Sequence, residues 1–515
     1  MDCLTQHYDA ARSGWNNNET ALTPATVGGG KFSLAFSQDV DGQIYAQPLY
    51  VGGLDLPSFG VRNVVFVATE AGSVYAFDAD VPDPVTPGTP GPYWKRSLVP
   101  SGERPFNTVT DLISHCTDLI PAVCITSTPV IDRAAGILYT TAKTITKTGG
   151  VARYRLHAIH LADGSPRQTP VVIAGTVPGN GASSSNGRVA FSAKQQHNRP
   201  GLLLFGGTLY LAFASHCDHS PYYGWIFGYH ASTLVRVAKF NAAPDKSLRA
   251  VTPPGFNNQG AGIWQGGIGV AADAQGFLYC QTGNGPADLD LGGKDCGDTV
   301  LKLTPHLAVA GFFTPHDQDH LDKADLDLGS GGVMLLPDQP APHPHQMVSC
   351  GKAGTVYLMD RASPGGFNAS ADHVLGTLPG AILKGVWGGP AYYHGAQGQR
   401  IYYSGKDEGL RSLSLNNAQI HVLAQTADTF PFPPATPTVS SNGSAAGTGV
   451  VWVNQVAGGN TINLLAFDAD NVTHKVFDAP AGPYNSGPKF TVPTVADGRV
   501  FVGTDKKLAV FALHP

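Results

Sequence analysis

Eight times along the chain, an apolar run led by Pro or Gly crosses a polar turn into a G-x-(V/L/I)-(Y/F/W) strand that ends in an acidic turn. The clearest copies are Gln47-Pro48-Leu49-Tyr50, leading to Gly72-Ser73-Val74-Tyr75-Ala76-Phe77-Asp78, and Thr128-Pro129-Val130-Ile131-Asp132, leading to Gly136-Ile137-Leu138-Tyr139. Further copies begin at Arg199-Pro200, Gly267-Ile268, Gly331-Gly332-Val333, Gly389-Pro390, Thr436-Pro437 and Val492-Pro493. They lie about 45 to 80 residues apart, too far for a solenoid repeat and suited to four strands with variable loops. Helical periodicity is hard to find, whereas short β-branched and aromatic runs sit between Gly, Pro, Asn and Asp throughout. The pattern predicts an all-β fold, an eight-bladed β-propeller with four antiparallel strands per blade.

The last copy ends after Leu508-Ala509-Val510-Phe511-Ala512-Leu513 without an outermost strand, and an unassigned strand, Lys31 to Ser37, precedes the first copy. Pairing the two closes the last blade and removes an open edge. Residues 1–30 then form an N-terminal extension and residues 31–515 a single propeller domain.

The repeat resembles that of the quinoprotein-like eight-bladed propellers, which reads roughly G-x-V-Y-A-hydrophobic-D-A-x-(D/T)-G. Gly72 to Asp80 (GSVYAFDAD) is the nearest copy, followed by Leu464 to Asp470 and Leu156 to Gly164. The resemblance spans residues 31 to 515 and implies a ligand site at one end of the central channel. The superfamily holds alcohol dehydrogenases as well as non-catalytic scaffolds, so the resemblance alone does not choose between them. Its enzymes use pyrroloquinoline quinone, whose three carboxylates and ortho-quinone call for cations, a stacking partner and Ca²⁺. Lys143, Arg199, Lys352, Lys406 and Lys506 supply the cations, with Trp264 for stacking and Asn284 with Asp325 for the ion. The sequence departs from the methanol-dehydrogenase-type branch, because it has no Cys-Cys dipeptide, only six Trp and no C-x-x-C-H haem motif.

Composition narrows the classes further. Net charge is −5 with no basic cluster, which argues against a nucleic-acid partner. No apolar run approaches the roughly 20 residues of a membrane helix, so a soluble monomer is expected. The chain opens Met1-Asp2-Cys3-Leu4 with no leader pattern. That suits a cytosolic protein or an exported one whose leader an initiator Met has replaced. The resemblance and the loop-rich surface favour export, secreted or periplasmic. Four N-x-S/T sequons, at Asn18, Asn368, Asn442 and Asn471, matter only along a eukaryotic secretory route. Seven cysteines cannot all pair internally. Cys116 with Cys124 and Cys280 with Cys296 each flank one loop, Cys116 with Cys217 is a rival, and buried free thiols are the plain alternative.

Strand parity sorts the polar residues. Connections after the second strand of a blade share one rim, the top, with the connections between blades. The opposite rim carries the turns after the first and third strands. His216-Cys217-Asp218-His219, Lys143, Asn284, Lys352 and Lys406 follow second strands, while Arg199, Trp264-Gln265 and Asp325-Leu326-Asp327 lie between blades. All are assigned to the top, with the long insertions that usually carry function. Pro342-His343-Pro344-His345 falls on the opposite rim and should share no ion with His216. His216 with Asp218 is the catalytic candidate, a base taking a proton from an alcohol. A metal site and a structural, disulfide-bearing loop are the alternatives. Asp325 and Asp327 are candidate Ca²⁺ ligands on a Gly-rich, oxygen-rich stretch, or turn-capping aspartates. Lys143, Arg199, Trp264, Gln265, Asn284, Lys352 and Lys406 are candidate cofactor-binding residues. Trp264 also reads as inter-blade packing. The readings that remain are an oxidoreductase acting on an alcohol or sugar, with no nucleotide and no haem c, and a non-catalytic propeller binding a glycan, peptide or protein. A hydrolase or lyase acting through His216 is a thinner option.

Overall fold

The computed structural model describes residues 1–81, 91–249, 259–458, 460–485 and 487–514. Among them the chain is all-β and forms eight sheets of four or five strands, antiparallel except that Trp15–Asn16 runs parallel to Thr438–Ser440, with two small two-stranded pairs beside them. The first full strands of these sheets are Leu49–Leu56, Val130–Asp132, Leu203–Phe205, Ala271–Ala272, Met334–Leu335, Ala391–Gly395, Thr438–Ser440 and Thr494–Ala496. Each starts just after one of the eight Pro- or Gly-led punctuation points in the sequence. The cause is local, since Pro fixes its own φ and cannot donate to a ladder, so strands resume after it.

Within a sheet, position decides the residue pattern. Second strands are packed on both faces and read as continuous apolar runs rather than alternating ones. Val64 to Ala68, Leu209 to Ala214 and Val450 to Val453 are buried throughout. Outer strands have a solvent face and alternate or turn polar, as in Trp94–Ser97, where only Trp94 is buried. In the last sheet, Phe32–Gln43 pairs antiparallel with Asp505–Leu513, from Phe32 opposite Leu513 to Gln43 opposite Asp505. The strand expected to cover that edge therefore does so.

Cysteine pairing follows the rival expectation. Cys116 and Cys217, 101 residues apart, form a disulfide with their Cα atoms 5.9 Å apart. The short rings Cys116–Cys124 and Cys280–Cys296 do not form, and Cys124, Cys280 and Cys296 are free buried thiols with Cys3 and Cys350. Both Cys280 and Cys296 are sealed in apolar packing between the third and fourth sheets, and burial pushes the Cys280 thiol up to about 12.

The Pro342–His345 turn also lies where parity puts it. His343 Nδ1 is 2.9 Å from Asp360 Oδ2 and His345 Nδ1 is 2.8 Å from Asp338 Oδ1, so each imidazole has a carboxylate of its own rim and neither meets His216.

Candidate functional site

A cavity of about 400 Å³ opens among the loops assigned to the top rim. Six of the predicted residues border it, namely Arg199, His216, Asp218, Trp264, Asp327 and Lys352. The rest of its wall includes Cys217, Asp118, Trp387, Phe432, Lys489 and Phe490.

Its best-ordered corner is an ion pair. Lys352, just past Gln346–Ser349, places Nζ 2.6 Å from Asp327 Oδ2 and 2.9 Å from Asp325 Oδ1. Asp327 Oδ1 accepts from the Asn284 backbone N–H at 2.7 Å, and Asn284 Nδ2 donates to Asp325 Oδ1 at 3.0 Å. Gly283 makes this approach feasible, since a Cβ there would lie 2.2 Å from Asp327 Oδ1. Burial raises the Asp327 carboxyl above the ordinary carboxylate range against the pull of Lys352. The two aspartates in turn overcome burial and hold the Lys352 ammonium above its ordinary value.

Asp218 sits in the turn after Thr208–Ser215, where Cys217 and Asp218 both adopt left-handed backbone, with φ of 47° and 50°. The disulfide to Cys116 ties this turn to the segment between Glu103–Pro105 and Val130–Asp132, both strands of the second sheet. Burial, reinforced by Asp327, pushes the Asp218 carboxyl up to about 6, with Tyr222 hydrogen-bonding to it. Trp264 packs edge to face against Tyr222 at 5.7 Å and donates its indole N–H to the Ser215 carbonyl at 3.2 Å.

His216 is differently placed from a free base. Its Nε2 lies 2.6 Å from Lys143 Nζ, and the ring stacks between His197 at 4.6 Å and Phe106 at 5.8 Å. Lys143 also donates to the carbonyls of Lys194 and Gln196, at 3.1 and 3.0 Å. Burial drives both His216 and Lys143 well below their ordinary values. Lys143 therefore stands behind the wall and orients His216 instead of facing a ligand.

Arg199 lies on the wall of the cavity. It is only 5% accessible, and its guanidinium lies 4.6 Å from the Phe490 ring centroid and 5.9 Å from that of Tyr45. Among the described residues it has no ion-pair or hydrogen-bond partner. Lys489, by contrast, is paired with Asp118. The Asp118 carboxylate acts on Arg199 electrostatically without bonding to it, and a buried cation bordering a cavity can accept an anionic group.

The remaining candidates fall outside the cavity. Gln265 is fully buried, its amide bridging the Ile268 carbonyl and the Gln281 N–H. Asn284 and Asp325 lie one step back, on the Lys352–Asp327 pair. Lys406 bonds through its backbone N–H to the Gly385 carbonyl and does not border the cavity. Lys489, Phe490 and Phe432 were not singled out from sequence. They just precede the starts at Val492-Pro493 and Thr436-Pro437, so the parity rule puts them on the same rim; aromatics and one lysine simply carry no motif.

The side chains do not by themselves suit Ca²⁺, which takes six to eight oxygens. Among the described residues no three His, Cys, Asp or Glu side chains converge on one point, and the Lys352 ammonium bonds to both expected ligands. With Lys352 neutralised by Asp325 and Asp327 and Lys489 paired with Asp118, Arg199 is the wall's one cation without a bonded carboxylate among the described residues, and Trp264 and Phe490 give the cavity aromatic sides.

No protein-family model matches the sequence, and no curated protein does either. Solved structures do. A quinohemoprotein alcohol dehydrogenase from Comamonas testosteroni superposes with a TM-score of 0.62 at 14% identity, covering 99% of this chain and 80% of that one. The quinohemoprotein alcohol dehydrogenase ADHIIG from Pseudomonas putida HK5 gives 0.62 at 12% identity, with 99% and 80% covered. A europium-containing methanol dehydrogenase gives 0.59 at 13% identity, with 99% and 98% covered. The chain thus shares its all-β fold with these dehydrogenases.

Proposed function

We propose that the eight sheets close into an eight-bladed propeller and that the cavity at its top is the site of an oxidoreductase acting on an alcohol or sugar, with a planar ortho-quinone of the pyrroloquinoline class as cofactor. The observation that carries this reading is Arg199, a buried guanidinium flanked by aromatic rings and left without a partner at the wall of a cavity. Its setting matches an aromatic anion, with charge for a carboxylate and rings for the edge of a planar system.

Such a quinone, when bound, would supply the two-electron acceptor. Arg199 would hold a carboxylate of such an anion, with Trp264 and Phe490 as its aromatic neighbours. Lys352, fixed by Asp327 and Asp325, presents its ammonium where negative charge develops, which costs no reorganisation during reaction. Asp218, with a carboxyl near 6 and bordering the cavity, takes the substrate hydroxyl proton on its carboxylate, a role that suits a group titrating near neutrality. His216, held by Lys143, stiffens the turn that carries Asp218. The disulfide fits an oxidising compartment, so we place the protein outside the cytosol.

The second reading is a non-catalytic propeller whose cavity holds an acidic glycan or peptide on Arg199. That no metal-ligand set converges among the described residues favours it. Titrating purified protein with pyrroloquinoline quinone, with and without Ca²⁺, and following its absorbance decides between them, together with dye reduction by a panel of alcohols and sugars. Micromolar quinone binding with turnover supports the first. Absence of quinone binding in both conditions removes it.

A further inference from the structure

Residues 3–16 follow the inner ends of the sheets in order. Cys3 exchanges backbone hydrogen bonds with Tyr50 of the first sheet, at 2.9 and 3.0 Å, and the Leu4 carbonyl accepts from Ile131 of the second at 2.8 Å. Ala10 accepts from Ala272 of the fourth, Ala11 from Leu335 of the fifth, Ser13 from Tyr392 of the sixth and Gly14 from Val439 of the seventh, all at 2.8 to 2.9 Å. Side chains reach the other two. Thr5 Oγ1 donates to the Leu202 carbonyl, beside the third sheet's inner strand, at 3.4 Å. The Tyr8 hydroxyl bonds to both the carbonyl and the N–H of Val495 in the eighth, at 3.2 and 2.8 Å. One short segment thus bonds to the first strands of seven sheets and to Leu202 beside that of the third, in the sequence of the sheets for its backbone contacts.

Arg12 locks the segment. It is fully buried, and its guanidinium donates five times. Nε and Nη2 reach the Val270 carbonyl at 3.0 and 2.8 Å, Nη2 reaches Leu202 O at 3.3 Å, and Nη1 reaches Gln6 O and Thr5 Oγ1 at 2.8 and 2.9 Å. Gly269 leaves room for it, since a Cβ there would lie 2.4 Å from Nη2. The segment lies toward the rim opposite the cavity. Ser13 and Trp15 border a cleft with Asp338 and His345 of that rim, and Asp2 pairs with Arg133 in the turn after the second sheet's first strand.

We propose that the opening ringed by the eight inner strands is a peptide-binding site, filled in cis by residues 3–16, which close the far end of the channel and leave the cavity a pocket with one mouth. Eight inner strands cannot all pair with one another across an axis, so their facing N–H and C=O groups need partners. Residues 3–16, which turn repeatedly with left-handed backbone at His7, Tyr8, Arg12 and Gly14, supply them, while Arg12 satisfies carbonyls that no backbone N–H reaches. The inference is independent of the oxidoreductase reading.

The test keeps the full chain. A specific protease site inserted in the exposed Gly28–Gly30 stretch is cut after folding. The N-terminal fragment should stay with the body through gel filtration. Stripping it should lower the unfolding midpoint, and a synthetic peptide of residues 1–20 should restore that midpoint. The same peptide carrying Arg12→Met should bind at least about a hundredfold more weakly, five buried hydrogen bonds being lost. Release of the fragment on the column with an unchanged midpoint overturns the proposal, as does equal rescue by the two peptides. Should the insertion prevent folding, Arg12→Met in the uncut chain is read by amide exchange. Faster exchange at Ile131, Ala272, Leu335 and Tyr392 supports the proposal, and unchanged protection at those amides overturns it.

Discussion

A buried guanidinium without an acceptor costs folding free energy, so Arg199 separates function from stability at a single residue. Replacing it with Leu removes the desolvation penalty and adds apolar contact with Phe490 and Tyr45. Stability should therefore hold or rise by about 1 kcal/mol, as when buried charges give way to apolar side chains. Affinity for an anionic ligand should fall at least about tenfold, or 1.4 kcal/mol. Denaturant melts beside a binding titration read both, and lower stability with unchanged affinity would assign Arg199 to packing. Glu70 gives a pH test. Burial raises its carboxyl from 4.5 to about 7, against hydrogen bonds from the Cys124 N–H and Thr126. The folded state then holds the proton more tightly than the unfolded one, so this contribution is fully present below pH 4.5 and lost as pH rises through 7. Its span is on the order of 3 kcal/mol. Glu70→Gln should flatten that part of the decline in stability between pH 5 and pH 8; an unchanged slope would show that Glu70 does not titrate in that range.

Among the elements, the loops at the cavity are where local pattern and long-range contact part company. The Cys116–Cys217 bridge closes a loop of about 100 residues and fixes the left-handed turn that carries Asp218. Cys116→Ser with Cys217→Ser should cost about 2–4 kcal/mol and loosen ligand binding, checked by melts and titration on the same samples. A melt unmoved by the double substitution would mean that the turn is held by His216 and Lys143 alone. The strands were legible because each is written locally, in Pro- or Gly-led starts and in runs whose polarity follows their place between neighbouring sheets. Parity then carried Arg199, Asp218 and Lys352 to one rim and His343 and His345 to the other without any knowledge of contacts. Pairings across sheets have no such local trace. Nothing near Cys116 points to Cys217, nothing near Lys143 points to His216, and residues 3–16 show no period because their partners are spread over eight different sheets.

At the scale of the molecule, the last sheet is completed by a strand that comes before the first sheet in the chain. Asp505–Leu513 has Leu508, Ala509, Val510 and Phe511 fully buried, and Phe32–Gln43 covers its outer side. Uncovered, that strand offers a row of unpaired N–H and C=O groups, which invites pairing with a second chain. Truncation would remove residues 3–16 as well, so the cleaner variant is Leu34→Pro with Phe36→Pro, which leaves them in place. Proline cannot donate to the ladder and is excluded from strand interiors, costing roughly 3 kcal/mol or more where it breaks regular structure. The double variant should melt earlier and form concentration-dependent oligomers by light scattering, because the freed edge exchanges an intramolecular partner for an intermolecular one. An unchanged mass and midpoint would show that the ring holds without this strand. The inner segment, rather than the outer closure, would then be what keeps the first and last sheets together.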